Sequence, residues 1–111
     1  MSTTITISNR VAHHLNALSF GHPDNANQKL RILLEAEYRR RLARYNLTNR
    51  QLSQKYNTSF EEFERQQVTK QRGYTWEVES DAMEWEQAVD GITTVQRQLA
   101  GLSDEGAVDD N

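Results

Sequence analysis

Apolar residues recur with a helical period along most of the chain and with a period of two in two short stretches. Leu30, Leu34, Tyr38, Leu42 and Tyr45 follow one another at steps of four, four, four and three, the spacing that lines one stripe of an α-helix. Leu33 and Ala36 widen the stripe. Residues 26–45 contain no helix breaker and are rich in Leu, Ala, Glu and Arg, all good helix formers. Arg31, Arg39, Arg40, Arg41 and Arg44 form a cationic side opposite. The elements before this helix look too short to cover its apolar stripe, which points to a second copy of the chain.

Residues 3–8 alternate, with Ile5 and Ile7 to one side and Thr4, Thr6 and Ser8 to the other, and so predict a short strand. A lone strand leaves its backbone groups unpaired on both edges, and the simplest partner is the same strand of another subunit. Ser8 or Asn9 caps a helix to about Ser19, carrying Val11, Leu15 and Leu18. Gly21 to Asn25 reads as a turn, with Asp24 or Asn25 as the cap of the long helix. Asn46 reads as its C-cap. Thr48 with Gln51 forms a capping box and Leu47 with Leu52 a hydrophobic staple, predicting a separate short helix to about Tyr56. Ser59 with Glu62 repeats the box for a helix bearing Phe60 and Phe63.

Residues 66–73 are polar and read as a linker. Residues 74–79 alternate again, with Tyr74, Trp76 and Val78 on one face of a strand-like segment. Asp81, with Glu84 three positions on, predicts the cap of a last helix whose stripe is Trp85, Ala88, Val89, Ile92, Val95, Leu99 and Leu102. Gly91 inside it costs about 1 kcal/mol relative to Ala. Residues 104–111 read as a disordered tail.

Composition turns this pattern toward a partner. A hydrophobic content of 36% against 26% charged residues and a mean hydropathy of −0.85 are low for a compact monomer. The net charge of −3 conceals an asymmetry: residues 1–72 hold 12 Lys and Arg against 6 Asp and Glu, a net +6, while residues 73–111 hold one Arg against 10 acids, a net −9. Two surfaces for two kinds of partner, or mutual neutralisation within a dimer, both follow from that split. With no cysteine there is no disulfide framework or thiolate chemistry. No apolar run reaches the roughly 18 residues of a membrane span, and the N-terminus lacks the basic and apolar regions of a signal peptide, so the expectation is a cytoplasmic protein without a membrane partner.

Catalytic signals are weak. Adjacent His13 and His14 point about 100° apart on a helix and His22 lies in a turn, so no metal site is expected. The acids Glu77, Glu79, Asp81, Glu84 and Glu86 have no paired nucleophile or base, and no glycine-rich phosphate loop is present. A non-enzyme without cofactor is expected. Glu35 with Arg39 and Glu37 with Arg41 stand at i,i+4 in the favourable order; the cationic side is either a salt-bridged solvent face or a phosphate contact. Trp76 and Trp85 are either interface anchors or the seal of the last helix on the chain's own core.

Thr4-Ile5-Thr6-Ile7-Ser8, then Val11, Leu15 and Leu18, the Gly21 turn, and Leu30, Leu33 and Leu34 together resemble a ribbon-helix-helix domain. That resemblance implies a dimer whose paired strands enter duplex DNA, with Thr4, Thr6, Ser8, Arg10, Asn25 and Asn27 facing it. Tyr56 to Phe63, Tyr74 to Asp81 and Glu84-Trp85-Glu86 are similar to the C-terminal regions of small prokaryotic antitoxins. Together these imply a mainly α fold with one short N-terminal strand: a ribbon-helix-helix-like part over 1–46, short helices and a linker over 47–72, an acidic aromatic arm over 73–103 and a tail over 104–111. The function so implied is an antitoxin that neutralises a cognate toxin protein through Tyr74, Trp76, Glu77, Glu79, Asp81 and Trp85 and binds operator DNA as a homodimer. A ribbon-helix-helix regulator without a toxin, or an adaptor dimer associating head to tail, are the alternatives.

Overall fold

The computed structural model describes residues 2–21 and 25–109. In chain order its helices are α1 (Asn9–Ala17), α2 (Ala26–Tyr56), α3 (Phe60–Arg65), α4 (Val68–Gln71) and α5 (Trp76–Asp109). α2 and α5 form a long antiparallel hairpin: Lys55 meets Glu77 and Asp81, Asn49 meets Trp85, and Tyr45 lies against Gly91. α3 and α4 close one end of the hairpin and α1 lies at the other. The body measures 56 × 30 × 24 Å with a radius of gyration of 19.8 Å, well above the roughly 13 Å expected of a compact domain of this length.

The core sits at the closed end. Leu52, Phe63, Val78 and Trp85 are buried together, with Tyr56, Phe60, Val68, Ala82 and Val89 packed around them. Four rings interlock there: Tyr56 meets Phe63 edge-on at 5.0 Å, and Phe60 and Phe63 tilt onto Trp85 at 5.4 and 5.1 Å. Such pairs add about 0.5–1.5 kcal/mol each beyond the area they bury. Farther along α5, Ala88 and Val95 are buried while Val89, Ile92, Leu99 and Leu102 are half-buried, so the stripe expected of the last helix faces α2. Gly91 stands where the Tyr45 ring crosses α5; a β-carbon there would lie 2.5 Å from Tyr45 Cε2. Close approach of the two helices explains a glycine that helix propensity alone disfavours.

The expected ribbon-helix-helix fold is overturned. No strand forms among the described residues. Residues 2–7 have no regular structure and are exposed, Ile5 and Ile7 being 71% and 44% accessible. A strand is stable only with a neighbour to complete its hydrogen bonds, and the chain offers this segment none. The second strand-like stretch, 74–79, is also helical from Trp76 onward. Thr75 is the cap, its Oγ1 accepting from the Val78 N–H at 3.3 Å, so α5 begins five residues before the expected Asp81.

α2 also departs from expectation by running through Asn46 to Tyr56. Tyr45, Asn49, Leu52 and Tyr56 continue the stripe of Tyr38 and Leu42 toward α5, and this tertiary contact outweighs the local cap signals at Asn46 and Thr48. The helix ends instead at Asn57, a left-handed residue (φ 54°) whose N–H donates to Ser53 O. The polar stretch 66–73 contains α4, and the backbone helix of α5 continues to Asp109 through most of the expected tail; Asp110 and Asn111 lie outside the described residues. Caps at Ser8, Asn25 and Ser59 form as the sequence predicts, each side chain accepting from the N–H three residues on. Asp24, the other cap candidate, lies outside the described residues together with His22 and Pro23. No described helix is long and apolar enough to cross a membrane.

The N-terminal end is thin. Leu15 is the buried residue of α1, and Lys29, also buried, donates to the Asn16 carbonyl at 2.9 Å, a cation at the C-terminal end of α1. Leu30, Leu33 and Leu34, the start of the α2 stripe, remain 41%, 40% and 48% exposed.

Candidate partner-binding site

The corner where α4 passes into α5 gathers most of the exposed aromatic and acidic side chains that the sequence singles out. α4 ends in two successive left-handed residues, Gly73 (φ 75°) and Tyr74 (φ 56°). Gly73 N–H donates to Lys70 O and Tyr74 N–H to Thr69 O, both at 3.0 Å. Glycine adopts that backbone freely, whereas a tyrosine there is strained. The turn leaves Tyr74 58% exposed, and Trp76, the first residue of α5, is 83% exposed. Gln67, another left-handed residue (φ 52°), precedes α4. Between them α3, α4 and α5 enclose an open groove of about 460 Å³ lined by Phe63, Gln67, Val68, Tyr74 and Ala82 among others.

On α5 the seven-residue interval from Trp76 to Met83 returns to almost the same face, and Met83 is 64% exposed. Asp90 and Glu79 share that face, and Glu86 and Glu84 flank it, all exposed. Among the described residues these four acids enter no ion pair. The outer side of α5 is thus an apolar pair, Trp76 and Met83, inside a field of uncompensated negative charge.

The other expected contact residues have internal work. Trp85 is 0% exposed, and its indole N–H donates to Asn49 Oδ1 at 2.7 Å. Asp81 accepts from Lys55 Nζ and from the Tyr56 hydroxyl, each at 2.6 Å, and Lys55 also donates to Glu77 at 2.7 Å. Burial opposes ionisation of Asp81, but the bonds from Lys55 and Tyr56 prevail and hold its carboxyl below its ordinary value. The bonds to Asp81 and Glu77 hold the Lys55 ammonium above the usual range. Burial first, then the bond to Asp81, pushes the Tyr56 hydroxyl up to about 12. Glu77 and Asp81 therefore fasten α5 to α2, Glu77 while still 73% exposed, and of the six expected contacts Tyr74, Trp76, Glu77 and Glu79 lie on the open surface. Met83 is the residue that sequence reasoning missed; its seven-residue interval from Trp76 was the available signal.

The set expected to face DNA does not converge. Thr4 and Thr6 lie on the irregular segment 2–7, the Ser8 and Asn25 side chains cap α1 and α2, Arg10 stands on α1, and Asn27 is exposed in the first turn of α2. On the cationic side of α2, Arg39 pairs with Glu35, while Arg40 and Arg41 both pair with Glu37. These pairs are exposed and screened by solvent, so they contribute little. The rings of His13 and His14 meet edge-on at 5.5 Å, and among the described residues no three potential metal ligands converge. Compared with protein-family models, curated proteins and solved structures, the chain matches none.

Proposed function

We propose that this chain is a non-catalytic binding protein that neutralises a basic partner protein, the role of an antitoxin, through the outer face of α5 around Trp76. The observation that carries the reading is an almost fully exposed tryptophan, aligned with an exposed methionine and set among exposed acids of which Glu79, Glu84, Glu86 and Asp90 enter no ion pair among the described residues. Large apolar side chains at a protein surface ringed by one sign of charge mark sites of macromolecular contact. Trp76 and Met83 would anchor in apolar pockets, while Glu79, Glu84 and Glu86 would steer and align a cationic cleft. Neutralisation needs no chemistry: a rigid helical hairpin laid across the cleft excludes its substrate. If the partner acts on RNA, its cleft carries the positive potential that this face complements. The resemblance of residues 56–63, 74–81 and 84–86 to antitoxin C-terminal regions supports the same reading.

The test is calorimetric titration against the product of the adjacent reading frame, a small basic protein on this proposal. Submicromolar binding by the unmodified chain, weakened at least about 30-fold by Trp76→Ala, is the expected result, with the loss mostly in off-rate. Absence of binding, or equal affinity for Trp76→Ala and Met83→Ala, would remove the proposal.

A further inference from the structure

The N-terminal end carries a second surface that the α5 face leaves unexplained. An open groove of about 510 Å³ lies along α1, and five of its seven lining side chains are apolar: Val11, Leu15, Ala17, Leu18 and Leu33. Beside it Leu30 and Leu34 stand 41% and 48% exposed on α2. Immediately before α1, the irregular segment 2–7 presents Ile5 and Ile7 to solvent. One chain thus displays both a hole of aliphatic walls and an unburied pair of aliphatic knobs.

We infer that this end is where a second copy of the chain docks, each copy laying its residues 2–7 over the α1–α2 groove of the other. Two observations select a second copy over an unrelated partner. A two-fold contact must be self-complementary, and knob and hole occur together here on one surface. The eight large apolar residues between 5 and 34 that stand 39–71% exposed offer on the order of 700 Å² per copy if fully covered, against the roughly 800 Å² per partner that a standard stable interface buries. The contact is between helix faces clamped by residues 2–7, and it requires no ladder of paired strands. Because the Trp76 end of α5 lies at the opposite end of the hairpin, this inference stands or falls independently of the partner bound there.

Sedimentation equilibrium on the full chain tests it. The unmodified protein is expected to be a dimer at low micromolar concentration. Leu34→Asp, at a position that a single copy leaves half exposed, and deletion of residues 1–7, which spares the Ser8 cap, should each raise the dissociation constant at least tenfold with helical circular dichroism retained. Leu47→Asp, at an equally exposed apolar position outside this end, should leave it unchanged. A helical monomer in the unmodified chain, a larger oligomer, or a dimer broken by Leu47→Asp but not by Leu34→Asp would overturn the inference.

Discussion

Trp76 and Trp85 are nine positions apart, about 180° around a helix, and so face opposite ways. One is 83% exposed and the other 0%, a difference that composition cannot express. Reading 74–79 as a strand hid it, because period-two alternation put Trp76 and Val78 on one face. Once the helix begins at Trp76, Val78 instead joins Trp85 seven residues on. Trp85→Ala should therefore cost about 3–5 kcal/mol in urea unfolding through the cavity it leaves, and Trp76→Ala no more than about 0.5 kcal/mol. Gly91 gives a further test of sign. Helix propensity alone favours Gly91→Ala by about 1 kcal/mol, but the new methyl would meet the Tyr45 ring, and overpacking costs typically about 1–3 kcal/mol. A net loss is expected, whereas the same substitution made in a Tyr45→Ala background should be stabilising relative to that background. Asp81 adds a pH dependence. Its folded carboxyl is held below the ordinary value near 3.8, so its contribution is complete above that value and lost as pH falls through the lower, folded one. The Tyr56 hydroxyl runs the other way: raised from 10.0 to about 12, its contribution is complete below the ordinary value and lost as pH rises through that interval. Asp81→Asn should cost about 1–2 kcal/mol at neutral pH, from the bonds it weakens, and flatten the acid limb of the stability profile followed by thermal unfolding.

At the scale of elements, the parts legible in the sequence are those decided locally. The caps at Ser8, Asn25 and Ser59, the α3 helix and the apolar stripe of α5 from Trp85 onward each follow from a few neighbouring residues. Element ends failed where a contact distant in sequence outweighed a local signal. Asn46, Thr48 and Gln51 make a plausible break and restart, yet Tyr45, Asn49 and Leu52 all find partners on α5 and the helix runs on. Thr48→Ala tests that continuity, since loss of a working cap costs about 1 kcal/mol. With the cap unused, the variant should be neutral or slightly stabilised, while Thr48→Pro, in a helix interior, should lose about 3 kcal/mol or more. The strand over 3–8 failed for a related reason: alternation states which side chains share a face, not whether a second strand exists to accept the backbone bonds. The candidate site was half legible. Tyr74, Trp76 and Glu79 were found from composition, whereas the commitment of Asp81 and Glu77 to Lys55 depends on the hairpin register, which no local pattern encodes.

The whole molecule is a lever of uneven strength, with its aromatic core at the end where α3 and α4 close the hairpin and little burial at the other. Local opening free energies follow buried apolar contacts, so amide hydrogen exchange should read that gradient directly. In the isolated protein, amides of residues 45–56 and 78–95 should exchange slowest, near the global unfolding limit, because Leu52, Val78, Trp85 and Val95 are buried among them. Residues 9–17 and 26–34 should exchange fast at high dilution, where α1 is held to α2 by Leu15 and Lys29. Raising the protein concentration should bring new protection there if a second copy covers that end, while the core amides, which exchange through global unfolding, should slow only by the stability that association adds. A basic partner should slow exchange around residues 74–86 at any concentration of the dimer. Uniformly fast exchange over 78–95 in the isolated chain would mean that α5 does not hold to α2, and the rigid hairpin would give way to a disordered arm.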